Sequence, residues 1–156
     1  MGHILLATML SPLQREALEY WQSKCPEGAL PGRRDLDPTE IPRLLPHIVL
    51  VDVLAGEPRD FRFRLSGDAI RSRVHQNMTG RRMSEIPHMR EGMLRRHYDE
   101  VVATARPLAQ RVEYVGPDRF VRAAAHLLMP LAADGVVVDM VIGMVEFALD
   151  RSVSDP

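Results

Sequence analysis

The sequence predicts an α+β domain built on one curved sheet. Its 156 residues are 46% hydrophobic and 26% charged, a balance that suits a single globular core and argues against disorder. The predicted elements follow the order of one helix, two strands, a helical middle and three final strands. Because the helices stand between two groups of strands, this order is typical of an α+β domain.

The first element is an amphipathic helix that runs to Lys24. Ser11, Pro12 and Gln14 match an N-cap, a proline in the first helical position and a capping-box glutamine. Prolines and glycines between residues 26 and 32 then break the helix. The helix carries a broad apolar arc that needs a covering surface. This arc consists of Leu13, Ala17, Leu18, Tyr20 and Trp21.

Five segments have the pattern of strands. The β-branched run 47–54 predicts a mostly buried strand. After a turn at 56–58, residues 61–65 alternate strictly, which predicts a half-buried strand with outward arginines. Short turns at 116–118 and 133–135 separate the last three, which we expect to form an antiparallel meander. Those three strands span residues 108–115, 120–131 and 136–149.

The middle of the chain is predicted to be helical. We expect short helices over 68–74 and 81–86 and a longer helix over 91–105, which Pro107 ends. The apolar residues of the longer helix recur at helical spacing, so one of its faces should be buried.

Composition argues against several classes of function. The net charge of −1 gives no overall attraction to nucleic acid, and eight aromatic residues are too few for an obvious base-stacking platform. A single cysteine, Cys25, excludes an intramolecular disulfide and a cysteine-built zinc site. The apolar run 4–10 is too short to span a bilayer and is a poor signal peptide, so we expect a cytoplasmic protein.

Several stretches, taken in order and spacing, resemble one known family. They are residues 41–53, 61–67, 78–81, 129–131, 134–135 and 139–143. Together they are similar to the PAS-like family found mainly in alphaproteobacteria. The resemblance implies a curved five-stranded antiparallel sheet with helices over one face and a leading N-terminal helix. It divides the chain into a leading segment at 1–29, a PAS-like domain at 30–150 and a short tail at 151–156.

The resemblance also places a pocket beside the longer helix. His97 flanks the apolar face of that helix and could ligate haem, although a hydrogen-bonded histidine at the pocket edge is the favoured interpretation. A flavin photosensor needs a cysteine in the helical region, where Cys25 does not lie, so flavin is also disfavoured. No histidine pair has metal-ligand spacing on a predicted helix. The candidate ligand-pocket residues are Phe63, Leu65, Met83, Leu94, His97, Tyr98, Val112, Leu128 and Met140.

Two residue types concentrate in the helical middle and leave alternatives open. Seven arginines could meet an anionic ligand or an acidic partner, or they could be solvated helix faces with ordinary ion pairs. Four methionines could form a pliable pocket wall or fill the core of short helices. The arginines are Arg71, Arg73, Arg81, Arg82, Arg90, Arg95 and Arg96, and the methionines are Met78, Met83, Met89 and Met93.

The family resemblance predicts a sensory or protein-interaction module rather than an enzyme. Glu113 and Glu146 lie on predicted strands, but no second group stands ready for acid–base chemistry. The alternatives are a small-molecule enzyme, isomerase-like or hydrolase-like, on a similar fold, and a purely structural dimerisation module. With no room for an output domain, we expect a stand-alone module that signals to a separate partner. A homodimer through Leu13, Ala17, Tyr20 and Trp21 is the simplest closed assembly.

Overall fold

The structure is a computed structural model, and it describes residues 10–90, 92–113, 118 and 120–149. Five antiparallel strands form one sheet in the order β2-β1-β5-β4-β3. The strands are β1 (Ile48–Leu54), β2 (Asp60–Ser66), β3 (Leu108–Glu113), β4 (Val121–Leu131) and β5 (Met140–Leu149). The helices are α1 (Pro12–Lys24), α2 (Asp68–Val74), α3 (Pro87–Arg90) and α4 (Met93–Thr104). The predicted α+β architecture is confirmed.

The leading helix α1 has the start that its sequence predicts. The Ser11 hydroxyl accepts a hydrogen bond from the Gln14 main-chain N–H at 3.1 Å, and the Gln14 side chain accepts one from the Ser11 N–H at 3.3 Å. This reciprocal pair satisfies two N–H groups that a helix start would otherwise leave unbonded. Because these signals are local in the chain, both ends of α1 match the prediction.

The central strands of the sheet are buried on both faces. Along β4, Ala124 and Leu128 pack with the helical middle, whereas Leu127 and Met129 face the side covered by α1. Successive side chains of a strand point to opposite faces, so one strand contributes to two cores. Short 3₁₀ turns between residues 33 and 47 complete the core beneath α1. The sheet therefore separates a helical-middle core from an α1 core.

Two predicted elements are shorter in the structure than in the sequence analysis. The last strand begins at Met140 rather than residue 136, because the Asp134 carboxylate accepts the N–H groups of Val136 and Val137, each at 2.9 Å. That arrangement holds both valines in a turn, and Val136 is 73% exposed. The predicted helix over 81–86 is only a 3₁₀ turn, Met83–Glu85.

The longer middle helix and the third strand also differ at their ends. Helix α4 ends at Thr104 because Ala105 takes the left-handed conformation, with φ of 55°. Strand β3 is described as far as Glu113, and the part of the prediction over 114–115 lies outside the described residues. No helix among the described residues is long and apolar enough to cross a membrane.

Strand β2 departs from strict alternation at its end. Leu50 of β1 pairs with Leu65, but the next residue, Val51, pairs with Phe63, so Arg64 is an extra residue in the ladder. The bulge turns Leu65 away from the core that holds Phe63. Leu65 is 47% exposed, which corrects the prediction that it lines the pocket.

Candidate functional site

A cavity of about 410 Å³ lies between the sheet and the helical middle. This volume is in the range of small-molecule sites, about 300–1,000 Å³. Most of its wall is apolar and comes from all five strands together with helices α2 and α4. The main apolar residues are Val49, Phe63, Ile70, Val74, Met78, Leu94, Val145 and Phe147.

Two histidines bring polar atoms into this apolar cavity. His97 comes from α4 and His126 from β4, and each is only 8% exposed. The Nδ1 atoms of both rings have no hydrogen-bond partner among the described residues. Buried polar atoms normally have partners, because an unpaired one keeps the full cost of leaving water. Because each Nδ1 has almost no accessible surface, it lies against packed protein, and the two rings meet the cavity through their other atoms.

Burial keeps both histidines uncharged near neutral pH. It lowers the pKa of His126 to about 4, and the nearby His97 adds a smaller effect in the same direction. Burial also lowers the pKa of His97, against an opposing effect of Glu100. Each neutral imidazole has one nitrogen that donates and one that accepts. The site can therefore exchange hydrogen bonds with a ligand without presenting a positive charge.

Tyr98 fixes the position of α4 against the sheet. Its ring packs on Phe61 with centroids 5.5 Å apart, and burial raises the pKa of its phenol well above the ordinary value. Gly143 on β5 makes room for a neighbouring strand: a Cβ there would lie 2.7 Å from Val49 Cγ1 of β1, but at an ordinary contact distance of 3.6 Å from the Tyr98 hydroxyl oxygen. The packing of Tyr98 holds this part of α4, and with it the neighbouring His97, against the sheet.

The structure brings together some of the predicted pocket residues and separates others. Those that line the cavity are Phe63, Leu94, His97, Tyr98 and Val112. Met83 and Leu128 are buried in the surrounding core without lining it. Met140 lies on the opposite face of the sheet, beneath α1, because successive side chains of β5 point to opposite faces and that of Met140 points away from the cavity. Leu65 is turned outward by the bulge in β2.

The sequence analysis did not select several polar residues of the cavity, among them Gln110 and His126. They are direct partners across β3 and β4. His126 lies in a stretch buried on both faces, so its direction is hidden in the apolar pattern. The available signal is its even spacing from Ala124 and Leu128, which share its face.

The methionine and arginine clusters divide between the cavity and its surroundings. Met78, Met89 and Met93 contribute to the cavity wall, and Met93 is exposed enough to lie at its rim. Several arginines are engaged in ion pairs. Arg73 pairs with Asp118 at 3.2 Å, Arg95 with Asp60 at 3.5 Å, and Arg71 with Asp68. None of the seven clustered arginines lines this cavity.

The two glutamates considered for acid–base chemistry and the single cysteine lie away from the cavity or at its rim. Glu146 accepts a hydrogen bond from the Ser11 hydroxyl, which ties the start of α1 to β5. Glu113 is an exposed rim residue at the end of β3. Burial raises the pKa of the Cys25 thiol, which lies 3.4 Å from the Trp21 carbonyl oxygen. Among the described residues, no three His, Cys, Asp or Glu side chains form a metal-binding group.

The apolar arc of α1 is covered within the chain. Ala17 and Trp21 are buried against the sheet, and the Trp21 indole N–H donates to the Pro130 carbonyl at 2.9 Å. The predicted dimer interface requires these two residues to lie on an open surface, and they do not. Leu13 and Tyr20 are half-buried at the edge of the same core. The homodimer itself stays a prediction.

A five-stranded antiparallel sheet in the order 2-1-5-4-3, with a cavity under its helical middle, defines an α+β domain of the PAS type. A family model described as a PAS domain matches residues 9–146, and the chain belongs to this family. Searches of curated proteins and of solved structures found no match. Membership of the PAS family supports a sensory or interaction module as the general class of function.

Proposed function

We propose that this protein is a sensory module that binds a small, uncharged, mostly apolar molecule in the cavity beneath its helical middle. The observation that carries the proposal is a cavity of about 410 Å³ whose largely apolar wall includes two buried histidines, His97 and His126. Apolar walls with a few placed polar groups are typical of small-molecule sites. A neutral pair disfavours the anionic ligand that the arginine cluster allows.

Strand β4 gives a direct route from the cavity to the leading helix. His126 lines the cavity, while the carbonyl of the adjacent Ala125 accepts a hydrogen bond from Gln14 of α1 at 3.2 Å. Further along β4, the Pro130 carbonyl accepts from Trp21. A ligand that favours one arrangement of β4 therefore also changes the population of α1 arrangements. In this proposal α1 passes the signal to a separate partner protein in the cytoplasm.

The test is native mass spectrometry of the protein purified from its own host. We expect a bound small molecule, and we expect Ala124→Leu to lose it because the larger side chain fills the cavity. Ala109→Leu is the matched control, since Ala109 packs on the α1 side of the sheet. Circular dichroism checks that both variants fold. Wild-type protein without a bound molecule, or equal retention by both variants, would contradict the proposal.

Hydrogen exchange tests the signalling part separately. Removing the bound molecule should change exchange rates in α1 as well as around the cavity, because both contact β4. A change confined to α2 and α4 would leave ligand binding intact but would reject α1 as the reporter.

A further inference from the structure

We infer that the ligand is an amphiphile with one uncharged polar end, and that this end lies where β3 borders the cavity. The inference rests on the proposed function and specifies the class and the direction of its ligand. Its starting point is a row of paired residues across the cavity floor. Gln110 of β3 pairs with His126 of β4, and His126 pairs with Val145 of β5. All three line the cavity, so its polarity falls from an amide through an imidazole to an aliphatic side chain.

Exposure to water falls in the same direction along this row. Gln110 is exposed, His126 is 8% exposed and Val145 is 4% exposed. Neighbouring strands lie about 4.8 Å apart, so the row covers about 10 Å of the cavity floor. On the far side of β5 the lining continues with Val49 of β1, and Ile70 of α2 packs in the same buried core. The end of the cavity away from β3 is therefore apolar and closed to water.

The end of α2 borders the open side of the cavity. Gln76, an exposed lining residue, directly follows this helix. Asp118, on the connection from β3 to β4, contacts Arg73 of α2 at 3.2 Å and His75 at 3.4 Å. These contacts hold the end of α2 close to the end of β3. The exposed lining residues of α2 and β3 therefore meet at one opening.

The charges at this opening favour an uncharged polar end. Arg111 and Glu113 line the cavity from exposed positions on β3, and their opposite signs give no net attraction to an anion or a cation. A polar group at the opening keeps its contact with water. The same group at the closed end would lose its hydration without gaining a partner. The apolar chain of the ligand therefore occupies the closed end, where its burial is favourable.

Probes that share one eight-carbon chain test this direction by calorimetry. They are 1-octanol, octyl β-glucoside, 1,8-octanediol and octanoate, each kept below the concentration at which it forms micelles. We expect octanol and the glucoside to bind within about threefold of each other, because the sugar stays in water. The diol should bind at least about tenfold more weakly, because its second hydroxyl is buried without a partner. Octanoate should bind no more tightly than octanol.

Two variants show which end of the cavity the chain reaches. Ile70→Val frees the space of about one methylene at the closed end, so the preference for 1-nonanol over 1-octanol should rise about fourfold. Gln110→Ala is the matched control at the opening and should leave this ratio unchanged. Circular dichroism checks that both variants fold.

Several results would overturn the inference. Binding of octanol without the glucoside would place the polar end inside the cavity, and a diol as tight as octanol would contradict the apolar closed end. Tightest binding of octanoate would contradict the uncharged end. A chain-length preference that changes with Gln110→Ala rather than Ile70→Val would reverse the direction. If no probe binds but native mass spectrometry finds a bound molecule, the amphiphile assignment alone is overturned; if neither is seen, both proposals fail.

Discussion

Gln14 of the leading helix is bonded to Ala125 of β4, through a 3.2 Å hydrogen bond from its side-chain amide to the main-chain carbonyl. Gln14 is buried although it is polar, and its amide oxygen also accepts the Ser11 N–H. One side chain therefore caps α1 and attaches it to the strand that carries His126. This relationship connects the local start of a helix with the wall of the candidate site.

The first prediction concerns this attachment. Gln14→Leu keeps the approximate side-chain size but removes both hydrogen bonds, so we expect the free energy of unfolding to fall by about 1–3 kcal/mol. Chemical denaturation measures the loss, and hydrogen exchange should show faster opening of α1. Gln22→Leu on the exposed face of α1 is the control and should change stability by no more than about 0.5 kcal/mol. Equal effects of the two variants would contradict a structural role for the Gln14 bond.

The second prediction is a loss of stability in mild acid caused by His126. Its folded-state pKa is lowered to about 4, so between its ordinary value of about 6.5 and that value the unfolded chain binds the proton and the folded chain does not. The stabilisation that comes from the neutral His126 is therefore fully present above pH 6.5 and is lost as the pH falls. By pH 4 the free energy of unfolding should be lower by about 3 kcal/mol.

The comparison of wild type with His126→Phe isolates this effect. The titratable residues that share the cavity with His126 are His97, Tyr98, Arg111 and Glu113, and all of them are present in both proteins. Denaturation curves measured from pH 7 to pH 4 should fall less steeply for the variant. Parallel pH profiles would show that His126 is not held neutral by burial.

The third prediction tests the bulge in β2. Leu65 is exposed, so Leu65→Ser should change the free energy of unfolding by no more than about 0.5 kcal/mol. Phe63 is buried two residues earlier, and Phe63→Ala should cost about 3–5 kcal/mol. Thermal or chemical denaturation measures both. If Leu65→Ser lost nearly as much stability as Phe63→Ala, the result would contradict the bulge and favour a strictly alternating strand.

The fourth prediction concerns the close approach at Gly67, directly before α2. Its N–H donates to the Ile48 carbonyl at 2.8 Å, and a Cβ there would collide with the main-chain oxygens of Leu45 and Pro46. We expect Gly67→Ala to reduce stability by about 1–3 kcal/mol or more, since main chain cannot move aside as a flexible side chain can.

Gly28→Ala separates this collision from ordinary backbone strain. Gly28 has φ of +71° but open space where a Cβ would lie, so its cost should be limited to the left-handed conformation, about 1 kcal/mol. Denaturation of the two variants should show the greater loss at Gly67. A greater loss of stability at Gly28 would indicate that the segment 45–67 packs loosely enough to accept a Cβ at Gly67.

Local signals in the sequence predict much of the fold, whereas contacts between distant strands limit the prediction. Ser11 and Pro12 define the start of α1 because a helix cap involves residues only a few positions apart. The outward turn of Leu65 depends on its pairing with Leu50, which no pattern within β2 contains. The late start of β5 has a local cause instead, because the Asp134 carboxylate accepts the N–H groups of Val136 and Val137.

The same distinction applies to the candidate site. His97 is predictable because its spacing from Leu94 places both on the pocket side of one helix. His126 follows a run of alanines in a strand buried on both faces, where apolar residues on the two sides hide the period of two. Its position becomes evident only when β4 is placed between β3 and β5.

The strand order also has a consequence for the synthesis of this protein. Strand β1 lies between β2 and β5, so one edge of an early strand stays unpaired until nearly the last described residues have emerged from the ribosome. Antiparallel partners so far apart in sequence raise the contact order, which slows folding. An exposed edge in a partly made chain also invites wrong pairing with other chains. We therefore expect this domain to complete its sheet only after β5 has been synthesised, when β5 joins β1 to the β4–β3 hairpin.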